Sequence, residues 1–152
     1  TALHVAAGHG ALKSTVALLE ARASVDVRAS DGETPLHLAA QEGQEAEICL
    51  LAASRANLEV QNQEGETPLV TAVQHIGSKD PGHIRSLLEL RASPAVKDTA
   101  GLDAFGHARV YTNRGEELEA LLRTSGVEAS QTDIPGFPCA AARAAGGEVD
   151  TA

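Results

Sequence analysis

One seven-residue pattern occurs three times in this 152-residue chain at a constant spacing. Thr-Ala-Leu-His-Val-Ala-Ala at 1–7 returns as Thr-Pro-Leu-His-Leu-Ala-Ala at 34–40 and as Thr-Pro-Leu-Val-Thr-Ala-Val at 67–73. The spacing is 33 residues both times. A fixed period of this size is typical of a solenoid, in which each repeat contacts only its neighbours. We therefore expect function to lie in a long surface of equivalent positions.

Each repeat is predicted to form two helices joined by a short loop. Thr34 is a favourable N-cap residue, and Pro35 suits the first helical position, where the missing amide hydrogen costs nothing. Gly43 interrupts the helical pattern, and Leu51 belongs to the apolar face of the second helix. In the first and third repeats the equivalent apolar positions are Leu18 and Leu87.

The predicted fold class is all-α, a helix-turn-helix solenoid with three clear repeats and a degenerate C-terminal capping repeat. The repeats are expected at about 1–33, 34–66, 67–102 and 103–126. Three extra residues of the third repeat fall within 76–82, between its two helices, where a loop absorbs insertions at low cost. No amphipathic period is sustained over 127–152, so this tail is expected to be disordered or weakly ordered.

Charge and composition exclude several classes of function. The net charge of −9 argues against a nucleic-acid backbone as the partner. No apolar run approaches the roughly 18–20 residues that a membrane span needs, and no segment has the features of a signal peptide. We expect an intracellular location, in the cytoplasm first and with the nucleus as an alternative. Because the chain begins within a motif and without Met, we expect a fragment or a processed product.

The heptapeptide and its period resemble the ankyrin repeat over roughly residues 1–126. The resemblance implies a β-turn and an antiparallel helix pair in each repeat, stacked into a curved solenoid. It also implies a protein-binding module whose contacts come from the turn tips and the exposed face of the first helix. His4 and His37 match the histidine of the motif, and the resemblance assigns them to a hydrogen-bond network with the Thr of the same motif.

Three arginines depart from the ankyrin pattern. Where ankyrin repeats usually have Gly-Ala after the second helix, this chain has Arg-Ala, at Arg22, Arg55 and Arg91. The glycine commonly takes a left-handed conformation, and an Arg in that conformation costs about 1 kcal/mol. Two interpretations remain open: the guanidinium groups cap the last helical carbonyls, or they form a basic row for a partner.

The sequence predicts no catalytic, cofactor-binding or metal-binding residues. No nucleophile and base can be paired, and no glycine-rich phosphate loop is present. The histidines outside the heptapeptides show no spacing typical of a zinc site. We therefore expect a protein that is not an enzyme and that requires no cofactor.

Acidic residues are concentrated in the middle of the chain. Between residues 26 and 66 there are nine Asp and Glu against two Arg. The ankyrin resemblance places four of them at neighbouring turn tips: Asp31, Glu33, Glu64 and Glu66. They are either solvating charges that keep an Ala-rich solenoid soluble, or a patch that attracts a basic partner.

We predict a non-catalytic protein–protein interaction module whose partner is a protein, with a basic partner as one candidate. The predicted contact residues lie on the turn tips and first helices: Ser30, Asp31, Glu33, Gln41, Glu42, Gln63, Glu64, Glu66, Gln74 and His75, extended by Leu102 and Arg109.

Two alternatives remain open. The segment is a regulatory or substrate-docking part of a larger enzyme, such as a ligase, kinase or acyltransferase, or of a channel. Otherwise it is a structural adaptor with two partners, one on the tips and one on the loop at 76–82. The full open reading frame would test the first alternative, and competition binding would test the second.

Overall fold

The computed structural model describes residues 1–77 and 80–128 as a row of four helical hairpins. The helices are α1 (Ala2–Gly8), α2 (Leu12–Glu20), α3 (Pro35–Glu42), α4 (Glu45–Ala53), α5 (Pro68–Gln74), α6 (Gly82–Glu89), α7 (Ala104–Tyr111) and α8 (Gly115–Glu128). These described residues contain no strand, and the all-α prediction is confirmed.

The predicted register of the repeats is confirmed at the start of each first helix. Thr1, Thr34 and Thr67 are the N-caps of α1, α3 and α5. Thr34 has extended dihedrals (φ −104°, ψ 166°), and Pro35 follows at the first helical position. At the other end of α3, Gly43 has a left-handed φ of +73° and ends the helix.

The helices form two layers, with the first helices α1, α3, α5 and α7 in one and the second helices in the other. Leu51 and Leu87 are fully buried between neighbouring hairpins, as predicted, together with Leu118 of the last one. Leu18 is only half-buried, because the first hairpin packs against a neighbour on one side. The shared apolar seam runs through all four hairpins and holds the row together.

The three arginines after the second helices adopt the left-handed conformation that the ankyrin resemblance implied. Their φ values are +64°, +68° and +71° for Arg22, Arg55 and Arg91. The Arg55 amide donates to the Ala52 carbonyl (3.0 Å), and the next amide donates to the Leu51 carbonyl (3.0 Å). This backbone pattern satisfies the last carbonyls of the helix.

The first interpretation of these arginines is wrong for two of them. The guanidinium groups of Arg22 and Arg55 are exposed and donate no hydrogen bond to any residue that the structure describes. The helix ends are therefore capped by the backbone amides of Arg22 and Arg55 and of the residues that follow them, and not by these two side chains.

The connection between α5 and α6 contains the three extra residues of the third repeat, as predicted, although 78 and 79 lie outside the described residues. Helix α8 continues to Glu128, two residues beyond the expected end of the cap. The rest of the predicted tail, 129–152, also lies outside the described residues.

Candidate functional site

A groove of about 720 Å³ opens between the second and third hairpins, and we call it the tip groove. Its walls are the loops before α3 and α5, and its ends are residues at the C-terminal ends of those two helices. We call these two loops, and the equivalent loop before α7, tip loops. The lining residues are Asp31, Glu33, Gln41, Asn62, Gln63, Glu64, Glu66, Gln74 and His75. All of these except Asn62 are among the predicted contact residues.

Backbone pairing fixes the two tip loops side by side. The Gln63 amide donates to the Asp31 carbonyl (2.9 Å), and the Gln63 side chain donates to the Ser30 carbonyl (2.6 Å). Gly32 makes this approach possible. Its φ is +81°, and a Cβ added there would lie 3.0 Å from the Gln63 nitrogen.

Each tip loop is also braced from within. The Asp31 carboxylate accepts from the Glu33 amide (3.0 Å). In the next loop Asn62 accepts twice with its side-chain oxygen, from the amides of Glu64 (3.0 Å) and Glu66 (2.9 Å). These short side chains hold the turns that present the exposed carboxylates of Asp31 and Glu64.

Glu66 forms the floor of the tip groove and differs from the expected tip position. Glu66 is only 8% exposed, and both of its carboxylate oxygens accept hydrogen bonds. The donors are the side-chain amides of Gln74 (2.6 Å) and Asn62 (3.2 Å). A positive charge at this position would have to enter a buried network, so Glu66 is unsuitable for a test of surface charge.

The tip groove concentrates negative charge. Burial raises the pKa of the Glu33 carboxyl, and the carboxylates of Asp31, Glu66 and Glu64 raise it further, while His75 opposes them. A nearby cation stabilises the ionised form of a carboxyl group whose neighbours disfavour that form. The groove is therefore electrostatically suited to a positively charged group.

The floor of the groove continues into the last hairpin through a hydrogen-bond chain. The Gln74 side-chain nitrogen, which donates to Glu66, also contacts Nδ1 of His107 (3.0 Å). His107 Nε2 in turn donates to the Asp98 carboxylate (2.7 Å). We call these four residues (Glu66, Gln74, His107 and Asp98), together with Asn62, the floor network. In this arrangement Nδ1 of His107 accepts and Nε2 donates.

The carboxyl of Asp98 is held in its ionised form. Burial raises its pKa, but the Leu102 amide and the His107 imidazole lower it by more, so the pKa lies below its ordinary value. Sequence reasoning missed Asn62, Asp98 and His107. A signal existed for the first two, since each lies five residues before the N-cap of a first helix.

Four predicted contact residues lie outside the groove lining. Ser30 and Glu42 are exposed beside it, and Leu102 is half-buried in the next tip loop. Arg109 is directed elsewhere, because its guanidinium pairs with the Glu119 carboxylate of α8. Arg109 therefore lies outside the tip groove, and its contribution to the contact surface stays a prediction.

Some acidic residues of the central stretch have structural partners. Asp26 accepts from the Asn57 amide (3.0 Å), and Glu59 accepts from the Ser93 amide (2.7 Å), so each connects one repeat to the next. These residues therefore contribute contacts within the solenoid, whereas Asp31, Glu33, Glu64 and Glu66 line the tip groove.

Comparison with known proteins identifies the repeats. A comparison with curated proteins gave no match. Within the described part of the chain, no helix combines the length and apolar character that a bilayer crossing requires. The family model for ankyrin repeats matches three copies over residues 3–98, more than half of the chain. Ankyrin repeats are generally protein–protein interaction modules and typically non-catalytic. The chain therefore belongs to the ankyrin repeat family.

Proposed function

We propose that the tip groove binds a basic segment of a partner protein. The observation that carries this proposal is the convergence of four carboxylates on one cavity, where burial and the three other carboxylates raise the pKa of Glu33. A Lys or Arg side chain placed there would act as a counter-ion and relieve the repulsion among the carboxylates.

The surroundings of the carboxylates fit recognition of an extended peptide. Side-chain amides of Gln41, Gln63 and Gln74 line the same groove. The side-chain nitrogens of Gln63 and Gln74 are used within the protein, and their side-chain oxygens can accept from peptide amides. The paired tip loops are held by backbone hydrogen bonds before a partner arrives. Binding to such a preorganised surface avoids part of the ordering cost.

The proposal is tested by the association rate of a Lys- and Arg-rich peptide, selected from a library in which basic, acidic and neutral residues vary. The double variant Glu33→Lys/Glu64→Lys reverses two charges of the groove, and neither carboxylate accepts a hydrogen bond from a residue that the structure describes. We expect its association rate at low salt to fall by about tenfold or more, because electrostatic steering is lost. The difference should shrink as salt screens the charges.

The matched control is Glu20→Lys/Glu89→Lys, which changes the net charge equally. Both residues are exposed on second helices, away from the groove lining. The control should associate at nearly the wild-type rate. Equal slowing in both variants would show that net charge alone acts, and selection of acidic or neutral peptides by the library would also contradict the proposal.

A further inference from the structure

Three side chains of the floor network have the chemistry of metal ligands. One nitrogen or oxygen atom from each of Glu66, Asp98 and His107 lies within 4.8 Å of the other two. They come from two tip loops and from α7, and they are separated by 32 and 9 residues in sequence. We propose that these three side chains form a binding site for a divalent transition-metal ion of the Zn²⁺ type.

Charge balance supports a cation at this place. Glu66 and the Asp98 side chain are 8% and 5% exposed, and neither carboxylate contacts a Lys or Arg among the residues that the structure describes. Their donors are side-chain and backbone amides and the imidazole of His107. Two buried carboxylates without a Lys or Arg partner are costly, and a divalent ion offsets both charges.

The donor set selects the class of ion. Imidazole nitrogen with carboxylate oxygen suits Zn²⁺ and its neighbours, whereas Mg²⁺ and Ca²⁺ prefer oxygen alone. The contact between His107 Nε2 and the Asp98 carboxylate is 2.7 Å. The ligand atoms of a tetrahedral zinc site are about 3.3 Å apart, so these two must separate by about 0.6 Å.

The candidate ligands already have outer hydrogen bonds that orient them. The Leu102 amide donates to the second oxygen of Asp98 (2.9 Å), and Asn62 donates to Glu66 (3.2 Å). Such outer partners fix ligand orientation in metal sites. Sequence spacing predicted no metal site, because residues from three segments converge only after the hairpins stack.

The alternative is a network that holds the last hairpin by hydrogen bonds alone. Asp98→Asn separates the two interpretations, because its one side-chain oxygen still accepts from either His107 or Leu102, while the carboxylate ligand is lost. Zn²⁺ binding to the whole chain should be measured by calorimetry, and Co²⁺ should be added as a spectroscopic probe of the coordinating atoms. One equivalent of Zn²⁺ should bind, and Co²⁺ should give absorption bands of low-symmetry coordination.

We expect Asp98→Asn and His107→Ala each to weaken Zn²⁺ binding by about tenfold or more. His9→Ala, which removes an exposed histidine far from the network, should bind Zn²⁺ as the wild type does. Circular dichroism checks that each variant is folded. If His107→Ala does not fold, the Zn²⁺ affinity of Asp98→Asn alone decides the test. Absence of wild-type binding, or binding unchanged in Asp98→Asn, would overturn the proposal.

Discussion

The first two junctions between hairpins and the third are closed by different chemistry. At the first two, an imidazole of the heptapeptide donates to a tip-loop carbonyl of the next repeat, from His4 to Glu33 (2.9 Å) and from His37 to Glu66 (3.0 Å). At the third junction Val70 replaces the histidine. There the link runs from Gln74 through His107 to Asp98.

The two kinds of junction differ in charge and in how many chain segments supply their side chains. Each of the first two junctions uses one imidazole, whose other nitrogen contacts the Thr of the same heptapeptide, as at Thr34 and His37 (2.9 Å). Burial lowers the pKa of His37 and so keeps it neutral. The third junction needs side chains from several segments and includes carboxylates. A solenoid with uniform packing can thus carry a chemically distinct junction.

The largest expected effect concerns the apolar seam that all junctions share. Leu51→Ala should lower the free energy of unfolding by about 2–5 kcal/mol, because a fully buried side chain is deleted. Leu18→Ala should cost less, since Leu18 is half-buried. Urea denaturation measures both. Equal costs would contradict the asymmetry of burial, and a negligible cost for Leu51→Ala would contradict the register.

The next effect separates the two kinds of junction. His37→Ala should destabilise the protein by about 2 kcal/mol, because the buried Glu66 carbonyl and the Thr34 hydroxyl both lose a partner. Asp98→Asn at the third junction should cost about 1 kcal/mol, because Asn has one acceptor oxygen and can keep only one of the hydrogen bonds from Leu102 and His107. Denaturation curves of both variants at one pH provide the comparison. A larger cost for Asp98→Asn would reverse the ranking of the junctions.

Two buried glutamates should respond to neutralisation with opposite signs. Glu66 accepts hydrogen bonds at both carboxylate oxygens, whereas one oxygen of the fully buried Glu47 has no partner among the described residues. At pH 7, Glu66→Gln should destabilise by about 1 kcal/mol, and Glu47→Gln should stabilise by about 1 kcal/mol. Thermal unfolding of the two variants measures the signs, and equal signs would contradict the assigned hydrogen bonds.

The pH dependence of the Glu47 effect follows from its pKa. Burial raises the pKa of Glu47 above 4.5, and the Thr15 hydroxyl opposes this only in part. The folded protein therefore binds more protons here than the unfolded chain just above pH 4.5. The stability gained from protonated Glu47 is fully present below pH 4.5 and is lost as the pH rises through the raised pKa. The gain in stability from Glu47→Gln should accordingly shrink as the pH falls towards 4. A gain that does not change with pH would indicate that packing is responsible instead.

The smallest expected effect concerns the hairpin ends. Arg55→Gly should stabilise the protein by about 0.5–1 kcal/mol, because Gly adopts the left-handed φ of +68° without strain. Arg55→Ala is the control, since Ala keeps the strain and loses only the guanidinium. A gain for Ala equal to that for Gly would show that the side chain, and not the backbone, is responsible.

Most of the fold could be predicted from the sequence, because its determinants are local and repeated. The N-caps at Thr34 and Thr67 and the seam at Leu51 follow from one motif and its period. The floor network could not be predicted in the same way. His107 lies one place beyond the motif position of His37, and its partners become neighbours only when hairpins stack. The ankyrin resemblance placed Asp31 and Glu64 at neighbouring tips, and they line one groove. It did not anticipate that Glu66 is buried or that Arg109 pairs with Glu119.

The pairing of the Gln63 amide with the Asp31 carbonyl has a consequence for selectivity. It stops neighbouring hairpins from sliding, so the interval between Asp31 and Glu64 is set by the pitch of the solenoid, about 10 Å. Three residues of an extended peptide cover that interval. Two cations at this separation would engage both hairpins together, and the same two placed side by side would engage only one. The protein would thus discriminate ligands by the distribution of their charge rather than by its total.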